Sequence, residues 1–321
     1  MSLSISQPDW APTQDTPAIM LANLNHLGLI EVTGEQGRIF INGQVTTDIT
    51  SLTADQWRWG AHCDAKGKML ASFRTFALQD SLFMLMPTSA LAIDLPQLKK
   101  YSVFSKAELV DASANWQLIG IAGSEANVFV KQHFAEVNPE TASEVTVIEG
   151  GLLLKDGQRF IAMLSPEKAQ ALCANQTLYS AAAWQALEIK SGYPNIPGVH
   201  ANQYVPQMCN VQSINGISFT KGCYMGQETI ARMKYRGGNK RALYILSGTS
   251  SQTLTEETAL EIALEGGYRR GGAIIEFVQQ GNQVLLTAVL ANDTEADATL
   301  RIAGDEESAL TIIPLPYLLD N

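Results

Sequence analysis

Ile217-Ser-Phe-Thr-Lys-Gly-Cys-Tyr-Met-Gly-Gln-Glu228 is the most informative stretch of this chain, and it runs directly into Thr229-Ile-Ala-Arg-Met-Lys-Tyr-Arg-Gly-Gly-Asn-Lys-Arg241. Residues 226–234 predict a short helix that ends at Gly237-Gly238. Cys223 therefore lies between Lys221 and a helix N-terminus, a setting that favours the nucleophilic thiolate. The plain alternative is that Cys223 is a small buried hydrophobe, as most free cysteines are. Its neighbours Lys221, Gln227 and Glu228, with two glycines, do not read as core. Gly222 and Gly226 allow a positive φ or a close backbone approach, and Tyr224 completes the motif.

The same stretch concentrates positive charge. Between Lys221 and Arg241 there are six basic residues against the single acid Glu228, whereas the whole protein carries a net charge of −10. Beyond Arg241 the balance reverses, with three basic and twelve acidic residues. A basic cluster on an acidic chain points to local docking of an anionic ligand or partner, with Arg232, Lys234 and Arg236 as the contacts. The other reading is a solvated helix face whose basic residues match the C-terminal dipole. No stretch interleaves aromatic and basic residues as a known RNA-binding signature does.

A chain of 321 residues is long enough for two or three domains with substantial cores. The start lacks the basic and apolar regions of a secretory signal, and no apolar run is long enough to span a membrane. Cys63, Cys173, Cys209 and Cys223 are scattered without metal-site spacing. That argues against a disulfide framework or bound metal and favours a cytoplasmic protein, a monomer by default.

Four segments are expected in order. Residues 1–17 read as a loose arm, 18–110 as a first α+β domain, 111–240 as a second that carries the cysteine motif, and 241–321 as a barrel. In the first domain a strand over 27–32 and a short helix over 34–43 precede a three-strand meander turning at Asp64-Ala-Lys-Gly67 and Gln79-Asp80. A helix follows over 90–101, which Pro96 threatens to interrupt. A strand, helix, hairpin and helix return over 116–175, so two related halves are expected to share a pocket. Residues 181–190 form a further helix carrying Trp184. The side chain is either core packing or a flat wall for a planar heterocycle. Six short β-prone segments after residue 241, with a hairpin at Gln280-Gly-Asn282, predict a small antiparallel barrel too acidic to bind phosphate backbones.

Lys221-Gly-Cys-Tyr-Met-Gly-Gln-Glu228 also carries a family resemblance. So do Gly43-Gln-Val-Thr-Thr-Asp48, Ala61-His-Cys-Asp-Ala-Lys-Gly-Lys-Met69, Lys99-Lys-Tyr-Ser-Val-Phe-Ser-Lys106 and Asn239-Lys-Arg-Ala-Leu243. With these in order over residues 25–320, the chain resembles the YgfZ family of folate-binding, tRNA-modifying proteins. These are relatives of the T-protein (aminomethyltransferase) of the glycine cleavage system.

The resemblance implies two ferredoxin-like-type α/β halves around a tetrahydrofolate-binding hollow, with a C-terminal barrel. It also implies assembly or repair of iron–sulfur enzymes, including those that thiolate tRNA. Cys223 takes the position of the functional cysteine, and Trp184 that of a tryptophan at the folate pocket. A second such tryptophan is replaced here by Leu27. The adjacent aspartates of T-proteins align with Ala71 and Ser72, which disfavours ordinary aminomethyl transfer because no carboxylate remains to polarise the amine. A non-catalytic, folate-stabilised adaptor that docks a protein or tRNA is the alternative.

Other candidates have weaker claims. His62 and Cys63 are neighbours on a strand, so one is expected inside and one outside. His200 and Cys209 lie in the loop before the motif, within possible reach of it. Asp48 reads as a turn cap.

Overall fold

A computed structural model describes residues 3–6, 12 and 14–319. Of the expected N-terminal arm, Leu3 packs against the second-domain core, and Ser6 exchanges backbone and side-chain hydrogen bonds with Leu178. Part of this segment is thus tied down, while residues 1, 2, 7–11 and 13 lie outside the described residues.

In chain order, β1 (Met20–Asn23), β2 (Leu27–Thr33) and α1 (Gly37–Asn42) lead to β3 (Arg58–Cys63), β4 (Met69–Leu78) and β5 (Ser81–Pro87). Next come α2 (Thr88–Ser102), β6 (Glu108–Asp111), β7 (Gln117–Ala122) and α3 (Ala126–His133). Then β8 (Val145–Ile148), β9 (Gly151–Asp156), β10 (Arg159–Leu164), α4 (Pro166–Cys173), β11 (Leu178–Tyr179) and α5 (Ala181–Lys190) complete the second half. After α6 (Gln227–Arg236) come β12 (Arg241–Thr249), β13 (Ala259–Leu264), β14 (Gly267–Gln280), β15 (Gln283–Ala291), β16 (Leu300–Ile302) and β17 (Ala309–Ile313).

The first sheet has the order β3-β4-β5-β2-β6, and the second β11-β1-β7-β10-β9-β8. β1 departs from the expected boundary: it pairs with β7 and β11, so the first strand of the chain belongs to the second sheet. Pro96 does not break α2, which runs unbroken past it while the ring faces solvent. β12 to β17 close the expected antiparallel barrel. Its β14–β15 hairpin pairs Gln280 with Gln283, with Gly281 in the left-handed region at φ 54°.

Alternation along each strand sorts its side chains between two cores. Ile30, Val32, Phe73 and Met84 of the first sheet face α1 and α2. Ile119, Ile121, Leu153 and Phe160 of the second face α3 and α4. The opposite faces meet. Leu27, Leu29, Phe76 and Phe83 share one cluster with Leu118, Leu152, Ile161, Met163 and Trp184, joined by Ile245, Val278 and Leu285 of the barrel. All three parts are therefore packed around one central core. Polar groups placed there are cut off from water, which raises the cost of leaving them unpaired.

Candidate functional site

The cysteine motif is a loop held against the first domain by the residues on either side of the thiol. Lys221 Nζ donates to the carbonyl oxygens of Asn42, Val45 and Thr47 at 2.6, 2.9 and 2.6 Å. Its ammonium is thus turned inward to the end of α1, and burial pulls its pKa down to about 8. Tyr224 is buried with Cys63, Cys209 and Ile230, and the Met225 amide donates to Gly43 O at 3.1 Å. Gly226 sits at φ 79°, where a Cβ would lie 2.7 Å from Asp64 O and 2.8 Å from Gly67 Cα. Only glycine permits that approach. Gly222 has no such constraint, since a Cβ there meets nothing within 4 Å.

Between these anchors Cys223 is exposed to solvent. The thiol is displayed, not buried. The helix α6 begins at Gln227, with exposed Glu228 in its first turn, matching the dipole, and Lys234 and Arg236 in its last. Arg232 and Arg236 are exposed, while Lys234 is half-buried with its ammonium 5.7 Å from the Phe219 ring centre.

A second set of groups lies where the three parts meet. Arg74 of β4 pairs with Glu188 of α5 at 2.5 Å, with both side chains almost wholly buried. Asn195 Nδ2 donates to Glu188 Oε2 at 2.6 Å and to Glu276 Oε2 of the barrel at 3.3 Å. Arg159 pairs with Asp156 at 2.9 Å, and Tyr193 Oη donates to the other Asp156 oxygen at 2.6 Å. Burial pushes the Glu188 carboxyl up, but Arg74 and Arg159 outweigh it and hold it below the usual range. Glu276 has no such partner, and burial beside Glu188 raises it to about 8. Burial likewise draws His26 down to about 4. At neutral pH Glu188 is therefore held as the carboxylate, while burial favours the neutral forms of Glu276 and His26.

Aromatic rings enclose it. The Arg74 guanidinium lies 4.3 Å from the Trp59 ring centre and 5.1 Å from that of Tyr193. Arg159 lies 5.0 Å from the Trp184 ring centre. Trp184 itself is fully buried, and Gly120 of β7 makes room for it: a Cβ there would come within 2.3 Å of the indole. It backs the junction from inside and has no face open to a ligand. Leu27 is buried in the same cluster.

Three adjoining hollows lead outward. One of about 620 Å3 is lined by Asp156, Arg159, Lys190 and Tyr193. The next, about 510 Å3, shares Asp156 and Tyr193 and adds Trp57, Trp59, Glu144 and Ile214. The third, about 710 Å3, shares those last four and continues to Phe219 and Thr220. The hollows form a furrow from the buried network to the foot of the cysteine loop.

The remaining candidates are placed as follows. His62 and Cys63 are both buried, contrary to the expected inside–outside split. β3 is covered on both faces, and a register shift separates the pair. His62 Nδ1 lies 2.6 Å from Asp94 of α2, while burial raises the Cys63 thiol well above its ordinary value. His200 and Cys209 are buried, Cys209 in the same cluster as Tyr224, whereas Cys223 is exposed. Asp48 is a turn cap, as expected: it accepts from Thr50 and Ser51, and the Ser51 hydroxyl leads in holding it down at about 2. Among the described residues, no group of three or more His, Cys, Asp or Glu is arranged to hold a metal ion.

Arg74, Asp156, Arg159, Glu188, Tyr193 and Glu276 were not singled out from sequence. A signal was present. Arg74 interrupts the apolar strand Met69–Leu78, and Glu188 sits within the apolar helix Ala181–Lys190. A charge inside an apolar element is either paired or functional.

Comparison with known proteins agrees with this architecture. Residues 16–150 match the GCVT N-terminal domain family, and residues 239–305 match the YgfZ β-barrel domain. The crystal structure of glycine cleavage system aminomethyltransferase T from Bartonella henselae superposes with a TM-score of 0.67 over 94% of this chain and 86% of that one, at 16% identity. The tRNA-modifying protein YgfZ of Photobacterium profundum is 37% identical, covering 100% of this chain and 98% of its own. That of Yersinia pseudotuberculosis serotype IB is 40% identical over 94% of this chain and 93% of its own. With full-length relatives at this identity and a matching barrel, the chain belongs to the YgfZ family.

Proposed function

We propose that this protein supports tRNA modification by assembling or repairing iron–sulfur enzymes, with Cys223 as its reactive group and a folate bound at the junction of its three parts. The observation that carries this reading is the presentation of Cys223. Its loop is fixed by Lys221, Tyr224 and Gly226, yet the thiol faces solvent. A cysteine kept only for packing has no reason to be held outward by such anchors.

The junction suits a folate on its own chemistry. Trp57, Trp59 and Tyr193 offer aromatic surface beside the furrow. Trp59 Nε1, on the wall of the furrow, is buried without a partner, as are Arg74 Nε and both nitrogens of His26 at the junction. Such groups match the alternating donors and acceptors of a pterin ring. Arg159 and Lys190 on the adjoining hollow suit the carboxylates of a glutamyl tail. Trp184 takes part by supporting Arg159 from behind. When bound, folate supplies one-carbon chemistry.

Ordinary aminomethyl transfer is disfavoured on structural grounds. Ala71 is buried in the first core, and the Ser72 hydroxyl bonds Pro194 O and the Ile196 amide. Neither leaves a carboxylate to polarise a substrate amine. The cluster or sulfur group handled at Cys223 is cargo and not a resident metal. The adaptor reading keeps one specific support, the exposed Arg232 and Arg236 on the helix that follows the thiol.

The test is complementation in cells lacking the native protein. Cys223→Ser is expected to abolish support of a tRNA-thiolating iron–sulfur enzyme while the variant folds normally. Full support by the serine form would sink the thiol's role and favour the adaptor. Tetrahydrofolate binding, followed by quenching of the tryptophans, tests the junction separately.

A further inference from the structure

The strongest unexplained surface lies beside the cysteine loop, on the first domain. Phe104 is 98% exposed, Val103 71%, Ile39 68% and Tyr101 51%. Scattered single apolar residues are normal on a protein surface, but a group of large ones is not. Two bonds hold the loop that carries two of them against the helix that carries a third. The Gln36 amide donates to Lys106 O at 3.1 Å, and the Lys106 amide to Gln36 Oε1 at 2.9 Å. The loop carrying Val103 and Phe104 is thereby tied to the start of α1, and Ile39 lies one turn further along that helix.

The other end of α1 is the anchor of the cysteine loop, through Lys221 to Asn42 O and Met225 to Gly43 O. A helix of six residues is only about 9 Å long. The apolar patch and the exposed thiol therefore flank one short helix. Exposed cations outnumber exposed acids around them: Glu35 is paired with Lys106 at 2.8 Å, and Glu108 and Glu228 stand against four further cations. Lys99 and Lys100 lie on the patch side, with Arg232 and Arg236 on the other, all exposed.

We propose that the surface around α1 is a docking face for a second protein, whose apolar patch rimmed by acidic side chains covers Phe104 and so delivers its reactive group to Cys223. The inference rests on the reading of Cys223 as the reactive group. A protein occupant is favoured over RNA by the aliphatic members. Ile39 and Val103 gain from burial against another apolar surface and nothing from base stacking. The net charge of −10 also opposes a long phosphate backbone, whereas a local acidic rim needs only the few cations named.

The test uses the full-length chain and a purified tRNA-thiolating iron–sulfur enzyme as the probe, with affinity measured at low and high salt. Val103→Asp combined with Phe104→Asp should weaken binding at least about tenfold, as loss of a central anchor does. Raised salt should weaken the native complex, since the rim is ionic. Leu264→Asp, an exposed apolar site on the barrel strand β13, should change affinity less than about twofold. Cys223→Ser should bind normally yet fail in complementation. No binding by the native chain, or unchanged binding by the double variant, would overturn the docking face. So would a finding that bulk tRNA alone binds and that this binding is what the double variant loses. If Cys223→Ser instead complements fully while the double variant loses the enzyme, the thiol reading fails and the docking face stands.

Discussion

The Nζ atom of Lys221 lies 2.6 Å from the carbonyl oxygen of Thr47, and this bond joins the cysteine loop to a segment more than 170 residues earlier in the chain. Asn42 O and Val45 O complete the ammonium's shell. Lys221 thus acts as a positioning residue, holding Cys223 outward from a fixed base. Its methionine variant keeps the length of the stem and removes all three donors. Because buried carbonyls are then left unpaired, a loss of about 1–3 kcal/mol is expected. Alkylation of Cys223 should change rate in Lys221→Met, as the loop takes several positions in place of one. Unaltered alkylation and an unchanged Tm would show that the three bonds position nothing.

Glu276 gives a pH dependence of definite sign. Its pKa is raised from the ordinary 4.5 to about 8 in the folded protein. Between those values the folded state binds the proton and the unfolded state does not. Its contribution to stability is therefore full below about pH 4.5 and is lost as pH rises through about 8. Glu276→Gln is neutral throughout and retains a carbonyl for the Asn195 and Gln185 amides. Relative to native, the variant should gain stability by roughly 1–4 kcal/mol between pH 5 and pH 9. Denaturant unfolding at the two pH values measures this. A constant difference would mean that Glu276 is already ionised in the fold.

Most of the architecture was legible from local patterning. The first meander, α1, α2, α5 and the six barrel strands follow from alternation, helical spacing and turn residues. What escaped depends on partners distant in sequence. Only four residues long, β1 declares nothing of its membership in the second sheet until β7 and β11 bind it on either side. His62 and Cys63 defeat the alternation rule because α2 and the segment before the barrel cover both faces of β3. The cysteine motif could be read because its chemistry is contiguous. The junction network could not, since Arg74, Glu188 and Glu276 arrive from three separate parts of the fold.

The Arg74–Glu188 pair should be costly to break from one side only. Arg74→Met leaves Glu188 with the Asn195 amide and with Arg159 at 4.0 Å, too little to offset a buried carboxylate. A loss of about 3–5 kcal/mol is expected, and Arg74→Met combined with Glu188→Leu should recover part of it. Equilibrium unfolding of the two single variants and the double gives the coupling directly. Strict additivity would mean that the pair acts as two independent groups.

Trp184 distinguishes support of the hollow from contact with a ligand. The indole is fully buried against Gly120 and beneath Arg159. Trp184→Ala opens a cavity and should cost about 3–5 kcal/mol of stability, more than loss of a stacked ligand surface would. Trp184→Phe keeps an apolar ring and should recover much of that stability. The informative comparison is tetrahydrofolate affinity in Trp184→Phe and in Trp57→Phe. If Trp184 only positions Arg159, the first variant keeps nearly native affinity once folded. The second, altered at the edge of the furrow, binds more weakly. A reversed order would mean that the core opens to admit the ligand and that Trp184 touches it. Hydrogen exchange of the α5 amides would then speed up in the free protein and slow on binding, because α5 carries both Trp184 and Glu188.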